Sequence, residues 1–226
     1  MPKALFMTLF LFAGVAFASS HAMADSAVVT AVKGSVQTKK AGELVALKIG
    51  DKIAEAQSVQ TGAASTAVLV YPDGSRIKLK ENSEVVVHLV DTPQEKVGAN
   101  LIIGALFAAV TKKKEPHFFV KTPTAVAGVR GTDFFTSFDN KENTPNLWLC
   151  VHEGSVEVVP LDSRPAIVVK EGLGIVVRAD QKIDEPKPYE WTKQLNWNMD
   201  PAAGDVEDNS QFDSQKYKDL LKYKYD

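Results

Sequence analysis

The sequence predicts an all-β domain followed by a short, partly helical C-terminal tail. Short segments rich in β-branched and aromatic residues recur from Val28 to about Val177, and such residues favour strands. Gly, Pro, Asn and Asp separate these segments at short intervals, as turns require. No long stretch before residue 185 shows the 3.6-residue period of a helix. We therefore expect either a β-solenoid-like domain or a two-layer β-sandwich.

The chain opens with the pattern of a secretory signal peptide. One base, Lys3, precedes an uncharged apolar run over residues 4–18, and the small residues Ala22 and Ala24 flank Met23. This layout predicts cleavage near Ala24. The alternative is a retained membrane anchor, but a span needs about 20 apolar residues and this run is shorter. We expect a periplasmic or secreted protein with no direct membrane span.

Charge and cysteine content restrict the rest of the chain. The formal net charge of the 226 residues is −2 at pH 7, so the chain lacks the concentrated positive charge typical of nucleic-acid binding. The single Cys150 cannot form an internal disulfide. We expect a signal peptide at 1–24, a β domain at 25–183 that is held by its core, and a tail at 184–226.

The strand pattern begins with residues 28–32, which precede Gly34. A second clear strand, residues 67–71, runs into Pro72-Asp73-Gly74, a turn sequence. Residues 76–80 then alternate polar and apolar side chains, which places Ile77 and Leu79 on one face. Lys112–Lys114 lies between two apolar segments and is predicted to be the solvated tip of a hairpin. Further strands are predicted at 85–90, 118–122, 134–138, 147–159 and 167–177.

Two segments repeat the same order of features. Gly34-Ser35-Val36 is followed by a polar turn, a strand and Gly50, and Gly154-Ser155-Val156 is followed in the same way by Gly172. One interpretation is a reused hairpin or solenoid rung in which the glycines form the corners. The alternative is chance recurrence in a Val-rich chain, and two copies do not decide between them.

The tail changes character at Lys187. Pro188 starts a stretch in which Trp191 and Leu195 are four residues apart, as in a short helix. Residues 198–211 have the composition of a linker, and residues 212–225 are compatible with a terminal helix. The simpler interpretation is that the tail packs on the β domain or frays in solvent. The alternative is a helix that docks a partner.

The sequence offers no combination of residues typical of a catalytic centre. His88, His117 and His152 do not have the spacing of metal ligands, and no cofactor or metal is predicted. Cys150 and His152 are predicted to share one face of a strand with Trp148, as a thiolate–imidazole pair would. Burial of Cys150 as a small apolar residue is the favoured alternative, and we expect no enzyme.

One tight group of unlike polar residues stands out, formed by Arg130, Gly131, Thr132 and Asp133. As a binding site, it would present the guanidinium group of Arg130 to a carboxylate or phosphate. As an architectural motif, it would be a tight corner in which the charged groups tie neighbouring turns together. The second interpretation is favoured because glycines beside a charged residue usually serve the backbone.

The order of the segments resembles the FecR domain, named for the ferric-citrate regulator. The steps include Val59-Gln60-Thr61-Gly62 and Asp73-Gly74-Ser75-Arg76-Ile77-Lys78-Leu79. The most specific resemblance covers residues 119–134, FVKTPTAVAGVRGTDF, and the last runs from Val151 to Gly172. All steps occur in order across about residues 28–177.

The family's namesake type joins a cytoplasmic segment that restrains a sigma factor, a transmembrane helix and a periplasmic domain. This sequence resembles only the last of these parts, so the resemblance does not imply a direct hold on a sigma factor. It implies a non-enzymatic binding or scaffold module for an envelope protein or glycan. The alternative is a periplasmic component of a cell-surface signalling system that acts through a separate membrane protein. The sequence does not specify an oligomeric state.

Overall fold

A computed structural model describes residues 26–90, 96–140, 146–162, 164–178, 183 and 185–210. The predicted all-β class is confirmed, because sixteen strands make up the regular structure of this part of the chain. The signal peptide, its cleavage site and the predicted helix at 212–225 lie outside the described residues. The strands are β1 Ala27–Lys33, β2 Val36–Lys40, β3 Glu43–Ala46, β4 Lys52–Ile53, β5 Ser58–Thr61, β6 Thr66–Val70, β7 Arg76–Leu79, β8 Glu84–His88, β9 Val97–Ala109, β10 Phe118–Lys121, β11 Ala125–Val129, β12 Asp133–Asp139, β13 Asn146–Glu153, β14 Ser155–Pro160, β15 Ile167–Lys170 and β16 Gly174–Arg178.

The long strand β9 divides one continuous, open sheet into two layers. Its C-terminal half pairs with β7 and β12 in the first layer, whose order is β4-β1-β6-β7-β9-β12-β13-β16. Its N-terminal half pairs with β8 and β10 in the second layer, ordered β3-β2-β5-β8-β9-β10-β11-β14-β15. Gly104 lies at the junction with a φ of 93°, which favours glycine. A Cβ there would lie 2.3 Å from the Ser83 hydroxyl oxygen.

The two layers bury a common apolar core, so the architecture is the two-layer alternative of the prediction. Inward residues from strands of both layers, such as Leu69 and Val158, belong to one buried cluster. The Tyr71 ring meets the edge of the Phe118 ring with centroids 5.1 Å apart, and the Tyr71 hydroxyl donates to the Gly98 carbonyl at 2.8 Å. Adjacent strands pair antiparallel except β9 and β10, whereas a solenoid would stack parallel rungs.

The two similar segments follow the same path through the layers. Gly34 and Gly154, both at positive φ, pass the chain from the first layer to a hairpin of the second. Gly50 and Gly172, also at positive φ, return it to the first. The Gly50 amide donates to the Val29 carbonyl at 2.8 Å, and the Gly172 amide donates to the Val151 carbonyl at 2.9 Å. These matching corners support the interpretation as a reused hairpin.

Two local predictions are wrong. The segment from Lys112 to Lys114 is exposed, but it is not a hairpin tip, because β9 and β10 run parallel and the chain must cross from one layer to the other between them. The tail does not form a regular α-helix within residues 185–210. Its only helical turn there is a 3-10 segment, Glu190–Gln194, whose N-cap residue Tyr189 makes no capping side-chain bond and which ends where Leu195 turns extended. The described residues contain no helix with the length and apolarity to span a membrane.

Candidate functional site

The predicted motif Arg130–Asp133 lies at the corner between β11 of the second layer and β12 of the first. Gly131 has a φ of 128° and packs so closely that a Cβ would lie 2.8 Å from Cα of Lys112. The Lys113 amide donates to the Arg130 carbonyl at 3.2 Å, and the exposed Arg130 guanidinium donates to the Lys114 carbonyl at 3.3 Å. The corner therefore fastens the crossover connection between β9 and β10.

The other half of this motif faces β13 and β14. Buried Thr132 donates its hydroxyl to the Ser155 carbonyl at 2.9 Å. Asp133 pairs with Glu153 across β12 and β13. Burial raises the pKa of Asp133, and the Glu153 carboxylate raises it further, against a smaller lowering by His152. The contacts of Arg130 and Thr132 tie the corner to neighbouring segments, whereas the Asp133 carboxylate faces the like charge of Glu153. A role of the motif Arg130–Asp133 in binding stays a prediction.

The three histidines of the described chain lie apart and have different partners. Nδ1 of His88 is 2.9 Å from Glu55 Oε1, and Nε2 of His117 is 3.1 Å from Asp73 Oδ2. His152 stacks on the Trp197 ring with centroids 4.5 Å apart. In the part of the chain that the structure describes, no three His, Cys, Asp or Glu side chains are placed to hold a metal ion.

The contact of His117 with Asp73 also involves a serine, but not in the order of a hydrolytic triad. Ser75 donates its hydroxyl to Asp73 Oδ2 at 3.0 Å, so its proton points at the carboxylate instead of the imidazole. The Thr111 amide donates to the same hydroxyl at 3.1 Å. Burial raises the pKa of Asp73, but the hydrogen bonds from Ser75 and the charge of Lys113 outweigh it and leave a lowered pKa. The group clamps a turn to the crossover connection.

Cys150 is buried and lies on the outer face of the first layer, together with Trp148 as predicted. Burial raises the pKa of its thiol to about 12, so the reactive thiolate is scarce near neutral pH. His152 is stacked against Trp197. The geometry agrees with the favoured interpretation of Cys150 as a small apolar residue.

Residues 187–210 cross this outer face, and we call them the C-terminal strap. The strap begins at a bridge where Gly174 and Lys187 exchange backbone hydrogen bonds of 2.9 and 3.0 Å. Leu195 and Met199 are buried against the face, and Trp197 meets the edge of Phe107 with centroids 5.2 Å apart. The described part of the tail therefore packs back on the β domain.

Polar groups fix the position of the strap. The ammonium group of fully buried Lys78 donates to the carbonyls of Asn196 at 2.5 Å and Asn198 at 2.9 Å. Burial lowers the pKa of Lys78 to about 8. Lys80 forms an ion pair with Asp208 at 2.6 Å, and Lys33 pairs with Glu207. Asn196, Asn198, Asp200, Asp205 and Asp208 each accept a hydrogen bond from the backbone amide two residues on.

The outer face of the second layer has the opposite character. No described segment covers it, and its outward residues other than Gly98 are exposed or half-buried, with Val168 54% exposed. A shallow groove of about 470 Å³ runs across β8 to β11 on this face, and we call it the second-layer groove. The residues that line it are His88, Lys96, Asn100, Pro116, His117, Phe118, Phe119, Lys121, Val126 and Gly128.

Phe119 forms the aromatic centre of the second-layer groove. Its strand neighbours on either side are Gly98 and Gly128, so no side chain flanks the ring across the strands. The His88 ring stacks against Phe119 with centroids 6.1 Å apart. Glu55 holds His88 in place, because its carboxylate also accepts the backbone amide of Leu89 at 2.5 Å.

The polar groups of the groove are basic or neutral. Lys121 is exposed on the same strand and the same face as Phe119, and its cross-strand neighbour is Asn100. The amide oxygen of Asn100 is buried and has no hydrogen-bond partner among the described residues. None of the described residues that line the groove is a carboxylate. The groove can therefore bind a ligand with a flat apolar surface, a hydrogen-bond donor and a negative charge.

Sequence reasoning did not single out this groove. The segment 118–122 was predicted as a strand, and its alternation places Phe119 and Lys121 together. The sequence does not show that Gly98 lies beside Phe119, because β9 and β10 pair in parallel across a crossover connection. It also does not fix the register of the β10–β11 hairpin, which places Gly128 on the other side of Phe119.

Comparison with known proteins agrees with the resemblance. Residues 57–157 match the family described as FecR protein. No curated protein sequence matches the chain. Two crystal structures of a candidate anti-sigma factor from Parabacteroides distasonis are similar in fold, each with a TM-score of 0.51, at 18% and 17% sequence identity. The similarity covers 61% of this chain and 63% and 62% of those chains. The segment at residues 57–157 is therefore a FecR domain.

Proposed function

We propose that this protein is a non-enzymatic binding module of a cell-surface signalling system, and that it recognises its ligand in the second-layer groove. The FecR domain and the fold shared with a candidate anti-sigma factor support a regulatory role. The observation that carries the proposal is the difference between the outer faces. Among the described residues, the strap covers one face, and the other face carries a groove with aromatic and basic groups.

The ligand is an envelope protein or glycan in this proposal, and the signal passes to the cell through a separate membrane protein. The signal-peptide pattern at residues 1–24 supports a place outside the inner membrane. In a pure scaffold role, the protein would hold envelope components together without changing gene expression. The FecR domain favours the signalling role over the scaffold role.

Complementation of a deletion strain tests the proposal. Transcripts are compared between the parent strain, the deletion strain, and the deletion strain that carries wild-type protein, the double variant Phe119→Ala/Lys121→Glu, or Lys170→Glu. Lys170 is exposed on β15 of the same layer but does not line the groove, so it is a matched charge-reversal control. We expect wild type and Lys170→Glu to restore the transcript profile and the groove variant to fail at equal protein level. A profile that deletion leaves unchanged, or that the groove variant restores, would refute the proposal.

A further inference from the structure

We infer that the second-layer groove binds an acidic glycan, a sugar chain that carries carboxylate groups. The inference rests on the proposed function for the location of the site and adds the chemical class of the ligand. Three features of the groove lead to it: a half-buried aromatic ring, a lysine two residues along the same strand face, and a buried amide oxygen that has no hydrogen-bond partner among the described residues.

The aromatic ring suits the flat apolar surface of a sugar ring. Neighbouring strands lie about 4.8 Å apart, and Gly128 leaves that space open on the β11 side of Phe119. On the β9 side, the ring of His88, which pairs with Gly98, stacks against Phe119. A Cβ on Gly98 would lie 1.9 Å from the Phe119 carbonyl oxygen, so this strand contact excludes a side chain there. His88 extends the aromatic surface toward β8. A hexose ring, which is about as wide as one strand spacing, can lie beside Phe119 above Gly128, on the side away from His88.

The charge lies at the correct distance for a carboxylate on such a sugar. Phe119 and Lys121 are two residues apart on one strand face, which separates them by about 7 Å. In the cross-strand row of Lys121, the neighbours on β9 and β11 are Asn100 and Val126, and neither is acidic. The acidic residues beside the groove are Glu157, which is next to Gly128 in the row of Phe119, and Glu55, which contacts His88. A sugar carboxylate is therefore attracted to the Lys121 end of the groove.

The unpartnered amide oxygen distinguishes a sugar from a simple anion. A buried acceptor without a donor costs about 1–3 kcal/mol, and the Asn100 oxygen is in this state. Carboxylate and phosphate groups only accept hydrogen bonds, whereas a sugar hydroxyl also donates one. A sugar with both hydroxyl and carboxylate groups thus matches Asn100 and Lys121 together.

The location of the groove argues against an acidic peptide. Extended peptides are commonly recognised by adding a strand to a free sheet edge. The groove lies on a face where β8, β9, β10 and β11 are all paired with neighbours on both sides. Only side chains are available there, so a peptide would gain no backbone hydrogen bonds from these strands.

Titration calorimetry on the purified full chain tests the inference. The probes are oligosaccharides of galacturonate, alginate and hyaluronan, the methyl ester of the galacturonate oligomer, and tetraglutamate. We expect at least one acidic oligosaccharide to bind at least tenfold more tightly than the neutral ester and tetraglutamate, with affinity that falls as salt rises. Lys121→Glu and Phe119→Leu should each weaken this binding about tenfold or more, and Lys170→Glu should change it less than twofold.

Each contrary result overturns the inference. No binding of any acidic oligosaccharide, equal binding of the ester, or an equal loss in Lys170→Glu would refute an acidic-glycan site, and tighter binding of tetraglutamate would identify an acidic peptide instead. This result is separable from the transcript test. If the wild type binds an acidic oligosaccharide but the groove variant still restores the transcript profile, the glycan site is kept and the signalling role is removed. If the groove variant fails to complement and the wild type binds no acidic oligosaccharide, the signalling role is kept and the glycan site is removed.

Discussion

Replacement of Trp197 by Ala should loosen the C-terminal strap without unfolding the β domain. Trp197 stacks on His152 with ring centroids 4.5 Å apart and an interplanar angle of 12°, and it meets the edge of Phe107 at 5.2 Å. Both partners belong to the first layer, and Trp197 belongs to the strap. The substitution therefore removes two ring contacts that join the strap to the sheet and none that joins the two layers.

The size of the effect follows from these two contacts. An aromatic pair contributes about 0.5–1.5 kcal/mol beyond the area that it buries, so two pairs together contribute about 2 kcal/mol. At about 1.4 kcal/mol for each factor of ten, the population with an open strap should rise about 30-fold. Trp197→Phe keeps a ring at the same position and should cause a much smaller rise.

The single cysteine provides the assay. Cys150 is 1% exposed and packs in the same buried cluster as Leu195 and Met199 of the strap, so a thiol reagent such as dithiodipyridine reaches it when the strap opens. We expect the labelling rate to rise about 30-fold in Trp197→Ala, while the circular dichroism of the sheet is unchanged. An unchanged rate, or equal rates for the Ala and Phe variants, would show that these rings do not hold the strap.

Two further predictions concern a charged group and a glycine. Burial raises the pKa of Asp208, but the hydrogen bond from Lys80 and further hydrogen bonds outweigh burial, so the pKa is lowered. The ionised Asp208 therefore stabilises the docked strap fully above about pH 4, the ordinary pKa of an aspartate. This stabilisation is lost as the pH falls further. Labelling of Cys150 should accelerate on acidification below that pH in the wild type, and an equal acceleration in Asp208→Asn would contradict this assignment. Gly131→Ala should lower the melting temperature by about 5 °C, because backbone strain costs about 1–3 kcal/mol and each kcal/mol lowers the melting temperature by about 2–4 °C. Gly128→Ala is the control and should change the melting temperature little, because a Cβ at Gly128 would have no neighbour within 3.8 Å.

The period-two patterns of the sequence predicted strands and faces well. The alternation of Leu147, Leu149 and Val151 with Trp148 and Cys150 correctly separated core residues from residues of the outer face. Such patterns depend only on the pleat of a strand, which is a local property. The Gly corners were visible in the sequence for a similar reason, because positive φ at Gly34 and Gly154 is a local backbone requirement.

The pairing of strands and the path of the tail required long-range information. The parallel contact of β9 with β10 is not visible in the pattern of either strand, so Lys112–Lys114 was predicted at a hairpin tip. The spacing of Trp191 and Leu195 predicted a helix, but tertiary contacts determined the tail conformation. Leu195 is buried against the first layer, and the backbone turns extended at that residue.

Lys78 shows that the sequence can predict which face of a strand carries a side chain, but not whether solvent reaches that side chain. The alternation of β7 places Lys78 opposite to Ile77 and Leu79, on the outer face, and the structure agrees. On that face Lys78 is nevertheless fully buried, because the strap covers it and Phe107 lies 4.2 Å from its ammonium group. A buried ammonium group is costly unless it has hydrogen-bond partners, and here the partners are carbonyls of the strap itself. The position of the strap and the burial of Lys78 therefore depend on each other, so neither follows from the local sequence of its own segment.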